Sequence, residues 1–555
     1  MLWQSIFCSQ LLATAAARIP SQTYLGSTSD RQRDSSLWCH IPGVAESPRD
    51  GLRSSRDVFT GDDALSLQVE RLTAAVNVPT VSYDDNGDVN EDERWLPFGR
   101  LHKTLLSIFP LVHKHLRLEK VNKYGLLYHI TGTNTSLKPV VFMAHQDVVP
   151  AGRPSAWTHP PFDAFFDGEW LWGRGSADCK SNLIGILSAM ESLLQQKFKP
   201  QRTIIFSFGF DEETSGYRGA KYLARHLEEK LGPNSIAMIL DEGGMGVATT
   251  GDVAYALPAI AEKGFVDIVM TLETPGGHSS RPPAHTGIGI MSKLISALED
   301  SPFYPSLSDK NPVRGVLECE AIYSDEYVEP WLKEKLQSGH DIGEEIVQSR
   351  GDSIRWQLQT SQAVDEIRGG DKDNQLPEEV NAVVNYRISP QNKVEDLFER
   401  RAEILAEVAH EHGIAVSGLG FNESRTADGI LRLKTDQLLV PSPITPTEST
   451  NDVWNLVGST LRQVYESVDT LPGVKTVIPV GSIATGNSDT SHYWNLTQQI
   501  YRFTPIREDA RQGVHTVDER IEMQAHLEAT RVYYDLMRKF QEFGGETCEG
   551  SCLVL

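Results

Sequence analysis

The chain has 555 residues, long enough for more than one domain with ample buried core. Its 52 Lys and Arg against 75 Asp and Glu give a net charge of −23 with no basic patch, which argues against nucleic acid and anionic membrane surfaces as partners. Six scattered cysteines are too few for a disulfide framework or a Cys-rich zinc site, so a metal here has to use His, Asp and Glu; no stretch reaches the roughly 18 apolar residues of a membrane span.

Residues 1–17 carry no charge and end in small residues, like a signal peptide that lacks its basic n-region; a plain N-terminal tail is the alternative. Residues 18–60, rich in Ser, Arg, Asp and Pro, read as a linker. Helical apolar spacing follows around Leu65–Val76 and Leu101–Val112. Buried-strand runs then alternate with helical patterns: strands at 124–130, 139–144, 202–208 and 236–240, helices at 182–195 and 219–230. That alternation predicts a mostly parallel α/β sheet, whose ligands collect beyond the carboxyl ends of the strands. The candidate ligand groups fall there: His145 and Asp147, Asp178, Asp211-Glu212-Glu213, and Asp241-Glu242.

After Ala261 the pattern changes. Phe265–Glu273 alternates apolar and polar residues, and strand–helix sets at 265–298 and 380–412 predict a smaller α+β domain inserted over about 262–425. The chain resumes with a helix at 453–467, a strand at 476–479 and a loop at 482–492. It closes with Val514–Arg520 and an amphipathic helix at about 519–540. Sequons at Asn134, Asn422 and Asn495 suit a secreted chain. Cys552-Leu553-Val554-Leu555 matches a prenylation box, although the segment before it is acidic and glycine-rich.

Two divalent cations about 3.5–4 Å apart need terminal His and carboxylate ligands, one bridging carboxylate, and a further carboxylate to take the proton of the attacking water. The strand-end groups together with His515 supply such a set. Their segments, HQDVVP, GRGSADCKSNL, FGFDEETSG, LDEGG, TPGGHSSRPP, NSDTSHYWNLT and GVHTVDERI, occur in the order found in one family. Over about residues 60–540 the sequence resembles the di-zinc metallopeptidase family of aminoacylase, bacterial glutamate carboxypeptidase and fungal carboxypeptidase S, and its carboxypeptidase S branch most.

The resemblance implies a mostly parallel-sheet zinc-peptidase catalytic domain in two parts, 61–261 and 426–545. Between them it implies an inserted α+β, ferredoxin-like lid and dimerisation domain, with residues 1–60 and 546–555 as flanking segments. It implies two Zn2+ per subunit: His145, Asp178 and Glu242 on one, Asp178, Glu213 and His515 on the other, with Asp178 bridging. Asp241 is the alternative to its neighbour Glu242. Asp147 would orient His145, Glu212 would be the general base, and His278 and Asn374 would stabilise the oxyanion. After Asp489-Thr490 the family often carries a basic residue for the substrate carboxylate. Here Ser491 follows, and Arg387 or His492 is the candidate replacement. The implied activity is hydrolysis of the amide bond to a C-terminal amino acid of small peptides. An N-acyl-amino-acid hydrolase and a catalytically dead dimeric binding protein are the alternatives. A homodimer and a vacuolar or secretory location complete the expectation, prenylated anchoring being the minor alternative.

Overall fold

The computed structural model describes residues 37–548 and Cys552. The signal-like segment 1–17, the first part of the linker and residues 553–555 of the C-terminal box lie outside the described residues. The chain forms two compact units: one comprises Trp38–Ala261, Gly315–Lys333 and the chain from Pro443, the other Glu262–Arg314 and Glu334–Ser442.

The larger unit is a mixed α/β structure built on an eight-stranded sheet. Its centre runs in the order Ile204–Gly209, Val140–His145, Met238–Asp241, Ile500–Arg502, all paired in parallel. Antiparallel strands flank it, Gly125–Ile130 and Arg117–Val121 on one side and Ala259–Glu262 on the other. Val140–His145 is buried along its whole length. Val140, Phe142 and Ala144 enter one apolar cluster and Val141 and Met143 another, because successive side chains of a strand leave opposite faces. Helices Lys180–Gln195 and Met523–Glu542 supply the first cluster, and Ala220–Leu231 the second. Coverage on both faces explains why these strands read as unbroken apolar runs.

The predicted helix at 101–112 is two helices, Leu96–Ile108 and Pro110–His115, because Pro110 has no N–H to continue the first. The described part of the linker is a docked arm. Asp50 pairs with Arg538 at 2.6 Å, and the Ser55 hydroxyl donates to Asp535.

In the inserted unit, four long strands and two helices follow the order β-α-β-β-α-β: Gly264–Glu273, helix Gly287–Glu299, Ser361–Gly369, Glu379–Ile388, helix Val394–Glu411, Ile430–Leu439. The long strands lie as 361–369, 379–388, 264–273, 430–439, each antiparallel to its neighbour. This is the ferredoxin-like arrangement. Alternating burial along 264–273 and 379–388 packs one face onto the helices. The unit runs to Ser442, past the expected 425, because Ile430–Leu439 pairs with Gly264–Glu273. Residues 315–333 group with the larger unit.

The cysteines correct two expectations. Cys39 is bonded to Cys319 across 280 positions, and Cys548 to Cys552. Disulfides are therefore present, and the Cys552 sulfur that a prenyl group would need is already used. Cys179 is a buried thiol. No helix among the described residues is long and apolar enough to cross a membrane.

Candidate metal centre and active site

The parallel strands deliver their carboxyl ends to one place. His145 ends Val140–His145, Glu212 and Glu213 follow Ile204–Gly209, and Glu242 follows Met238–Asp241. Asp178 comes from the turn before helix Lys180–Gln195. Gly175 in that turn holds φ at +84°, and a Cβ on it would collide with Val148.

Asp178 lies between two histidines. One of its oxygens is 3.1 Å from Nε2 of His145, and the other is 3.2 Å from Nε2 of His515. Nε2 of His515 is also 3.1 Å from Glu213, and donor atoms of Asp178, Glu213 and His515 all lie within 4.8 Å of one another. Glu212 approaches His145 at 3.9 Å.

The tautomer of His145 follows from its partner. Nδ1 is 3.0 Å from the Asp147 carbonyl, which can only accept, so Nδ1 carries the hydrogen and Nε2 presents a lone pair to Asp178. Two acceptors facing each other at 3.1 Å need a positive charge between them, a proton or a metal ion. Oε1 of Glu213, buried with no hydrogen-bond partner, is a further donor atom directed at no protein group. On these grounds the residues fit a divalent cation site.

The electrostatics agree. Burial, then the charges of Asp178 and Asp241, pushes the Glu242 carboxyl up to about 8. Burial, with Glu242 and Glu213 nearby, holds Glu212 well above the usual carboxylate range. Hydrogen bonds to Asp178 and Glu213 push His515 up to about 10. Crowded carboxylates of this kind are what a divalent cation relieves. The Cys179 sulfur, close enough to join a donor set with His145 and Asp178, instead accepts the His145 backbone N–H at 3.2 Å, and burial pushes its thiol up.

Asp147 is fully buried behind His145. Its carboxylate takes the Ser82 hydroxyl at 2.6 Å and the backbone N–H groups of Glu212 and Glu213 at 3.1 Å each, and one oxygen lies 3.3 Å from Nδ1 of His145. It thus ties the histidine to the loop of the two glutamates.

In the inserted unit, His278 and Asn374 come together on one short ribbon, where Gly277–His278 pairs with Gln375–Leu376. The Ser280 backbone N–H donates to Nδ1 of His278 at 3.1 Å, so the hydrogen of the neutral ring is on Nε2, the form that donates to an oxyanion. The Arg387 guanidinium lies over the Phe265 ring at 5.2 Å. Nε2 of His492, in the larger unit, donates to the Ser215 carbonyl at 2.9 Å.

Glu519, Arg174 and Ser82 join the site only through the structure. Glu519 sits within GVHTVDERI and Arg174 within GRGSADCKSNL, where an acid and a base in separate loops give no local sign of pairing. Nothing around Ser82 marks it.

The family described as peptidase family M20/M25/M40 matches residues 141–539. Carboxypeptidase S of Saccharomyces cerevisiae is 38% identical over 505 residues, covering 88% of this chain and 87% of its own. The N-fatty-acyl-amino acid synthase/hydrolase of Homo sapiens is 30% identical over 521 residues, covering 90% of this chain and 93% of its own. Among solved structures, human carnosine dipeptidase 1 superposes with a TM-score of 0.59 at 13% identity, over 88% of this chain and 99% of that one.

Proposed function

The chain belongs to peptidase family M20/M25/M40, whose peptidases are metal-dependent hydrolases, and from that premise we propose that it is a two-zinc carboxypeptidase releasing a C-terminal amino acid from small peptides. The observation that carries the reading is the Asp178 carboxylate, one oxygen at each of two histidines, at 3.1 and 3.2 Å. His145, Asp178 and Glu242 would hold one ion, and Asp178, Glu213 and His515 the other. Glu242 is taken ahead of its neighbour Asp241, and burial with the charges of Asp178 and Asp241 raises its carboxyl. When bound, the ions supply a water acidified toward neutrality and a polarised scissile carbonyl.

The chain's own groups do the rest. Glu212, its carboxyl raised by burial, takes a proton from the attacking water on a side-chain oxygen and returns it to the leaving amine. Asp147 keeps Nε2 of His145 a lone-pair donor and fixes the backbone of Glu212. His278, through Nε2–H, and Asn374 stabilise the oxyanion, contacts of a type worth about 3–4 kcal/mol each. Arg387 is the candidate for the substrate carboxylate, with His492, which donates to the Ser215 carbonyl, as the alternative.

The second reading is an N-acyl-amino-acid hydrolase, supported by the likeness to the N-fatty-acyl-amino acid synthase/hydrolase over 90% of the chain. Parallel assays with an N-blocked Gly-Leu dipeptide and an N-fatty-acyl leucine, with measured zinc content, separate the two. Turnover of neither substrate by zinc-loaded protein would leave only a binding role.

A vacuolar or secretory location is part of the proposal, supported by two disulfides, which persist in oxidising compartments. Exposed Asn422 and Asn495 and half-buried Asn134 are compatible with glycosylation there. So is homodimerisation through the inserted unit, whose edge strand Ser361–Gly369 is largely exposed. Light scattering on the purified chain tests the dimer.

A further inference from the structure

We infer that Glu519, with Arg174, is a positioning residue for the metal centre, a buried clamp that sets Asp178 and His515 at a common metal distance. The inference rests on the two-metal reading above.

Glu519 has no exposed surface, yet it is four residues from exposed His515. Its carboxylate accepts four hydrogen bonds, all from the turn that ends in Asp178. Arg174 donates at 2.6 Å and the Gly175 N–H at 3.0 Å to one oxygen; the Ala177 N–H at 2.9 Å and the Asp178 N–H at 3.0 Å donate to the other. A single side chain therefore fixes the backbone of the bridging carboxylate from a different loop.

The other half of the clamp runs the opposite way. Arg174, buried against Trp157, sends its second terminal nitrogen to the Thr516 carbonyl at 3.0 Å, next to His515. The Gly173 N–H donates to the Glu519 carbonyl at 2.8 Å, and Arg520 pairs with Trp172 in a small sheet that continues the junction. On the far side, Asp518 accepts both the backbone N–H and the hydroxyl of Thr158. His515 and Asp518 both sit at left-handed φ, 57° and 60°. Such backbone in non-glycine residues persists only where its surroundings over-determine it. The clamp supplies that determination, and the turn it holds aims His515 at Asp178.

Carboxylates that orient metal ligands typically account for about 10–100-fold in metal affinity or activity. A generic structural role for this ion pair would lower stability while leaving the relative affinity of the two ions alone. A positioning role weakens the ion that depends on both clamped loops, the one held by Asp178, Glu213 and His515.

The experiment compares wild type, Glu519→Gln and Arg174→Lys, with His515→Ala as reference. Zn2+ affinity for each site is measured by chelator competition, together with the melting temperature of the chelated proteins. In Glu519→Gln the amide keeps one acceptor oxygen and turns a donor toward backbone N–H groups. In Arg174→Lys the ammonium keeps the charge but lacks the second nitrogen that reaches Thr516. Both variants should weaken the second zinc by about 10–100-fold, with the first changed much less, and excess Zn2+ should recover turnover in both. Equal weakening of both ions, or a lowered melting temperature at unchanged affinities, would overturn the inference. If Glu519→Gln does not fold, Arg174→Lys decides alone on the same criterion. Wild-type protein that binds no zinc, or whose activity ignores chelators, would remove the two-metal reading itself, an outcome distinct from the failure of the clamp.

Discussion

Asp147→Asn separates orientation from ligation. In the wild type one Asp147 oxygen takes the Glu212 N–H at 3.1 Å and faces Nδ1 of His145 at 3.3 Å; the other takes the Ser82 hydroxyl and the Glu213 N–H. An amide has one acceptor oxygen. Its best placement keeps Ser82 and Glu213 and turns an NH2 group toward two N–H donors, Glu212 N and His145 Nδ1. A lost hydrogen bond to a charged acceptor is worth about 1.5–3 kcal/mol, and a buried donor left unmet costs about 1–3 kcal/mol more. The chain relieves that penalty by shifting the Glu212 backbone, and a misplacement of about 1 Å at a catalytic group costs on the order of 100-fold. His145 keeps its Nδ1 bond to the Asp147 carbonyl, so its Nε2 still ligates. The expected outcome is kcat/KM down about 100-fold or more, with zinc content by elemental analysis near the wild-type value. Activity lost only in proportion to zinc, or activity close to wild type, would refute this account of Asp147.

Glu212→Gln should retain zinc and lose nearly all turnover, measured as kcat on the better of the two substrates. His515→Ala should lose one zinc of two by elemental analysis, and excess Zn2+ should restore little activity. In the chelated protein, His515 and Glu242 have folded-state values raised to about 10 and about 8. Groups raised in this way stabilise the fold fully below their unfolded values, and that stability is lost as pH rises through the folded ones. The melting temperature of the chelated protein should therefore fall between about pH 4.5 and 8 through Glu242 and between about pH 6.5 and 10 through His515, while zinc affinity rises over the same span as the bound protons leave; a flat melting profile would contradict the shifts. Phe142→Ala empties a fully buried site against Phe206 and Tyr533 and should cost about 3–5 kcal/mol in denaturant unfolding.

The catalytic unit was legible because its apolar runs are buried on both faces and stop abruptly on acidic groups, so strand ends and candidate ligands are marked by the same residues. What sequence could not supply was pairing between distant segments. Ile430–Leu439 escaped because its second half, Lys434 to Gln437, is exposed and breaks any alternation. Only its partner strand shows that it belongs to the inserted unit. The Cys39–Cys319 bond joins residues that no spacing relates. Glu519 is hidden for a similar reason: the second acid of the Asp518-Glu519 pair after His515 looks like surface until its four donors are seen to come from the loop of Asp178. His515 itself was found through the motif around it.

The position of Ile500–Arg502 in the central sheet has a consequence for synthesis. That strand lies between Met238–Asp241 and the flanking strand at Ala259–Glu262, yet it is made more than two hundred residues later. At roughly 5–20 residues per second, the hydrogen-bonding edge of Met238–Asp241 waits about 12–50 s on the ribosome for its partner. The inserted unit, whose strands are all synthesised within that interval, has time to fold first. An unpaired edge in a buried strand is a template for aggregation, so the nascent catalytic unit needs shielding over this period. A chain that stops before residue 500 keeps four of the five proposed metal ligands, His145, Asp178, Glu213 and Glu242, but lacks both the strand that completes their sheet and the last histidine.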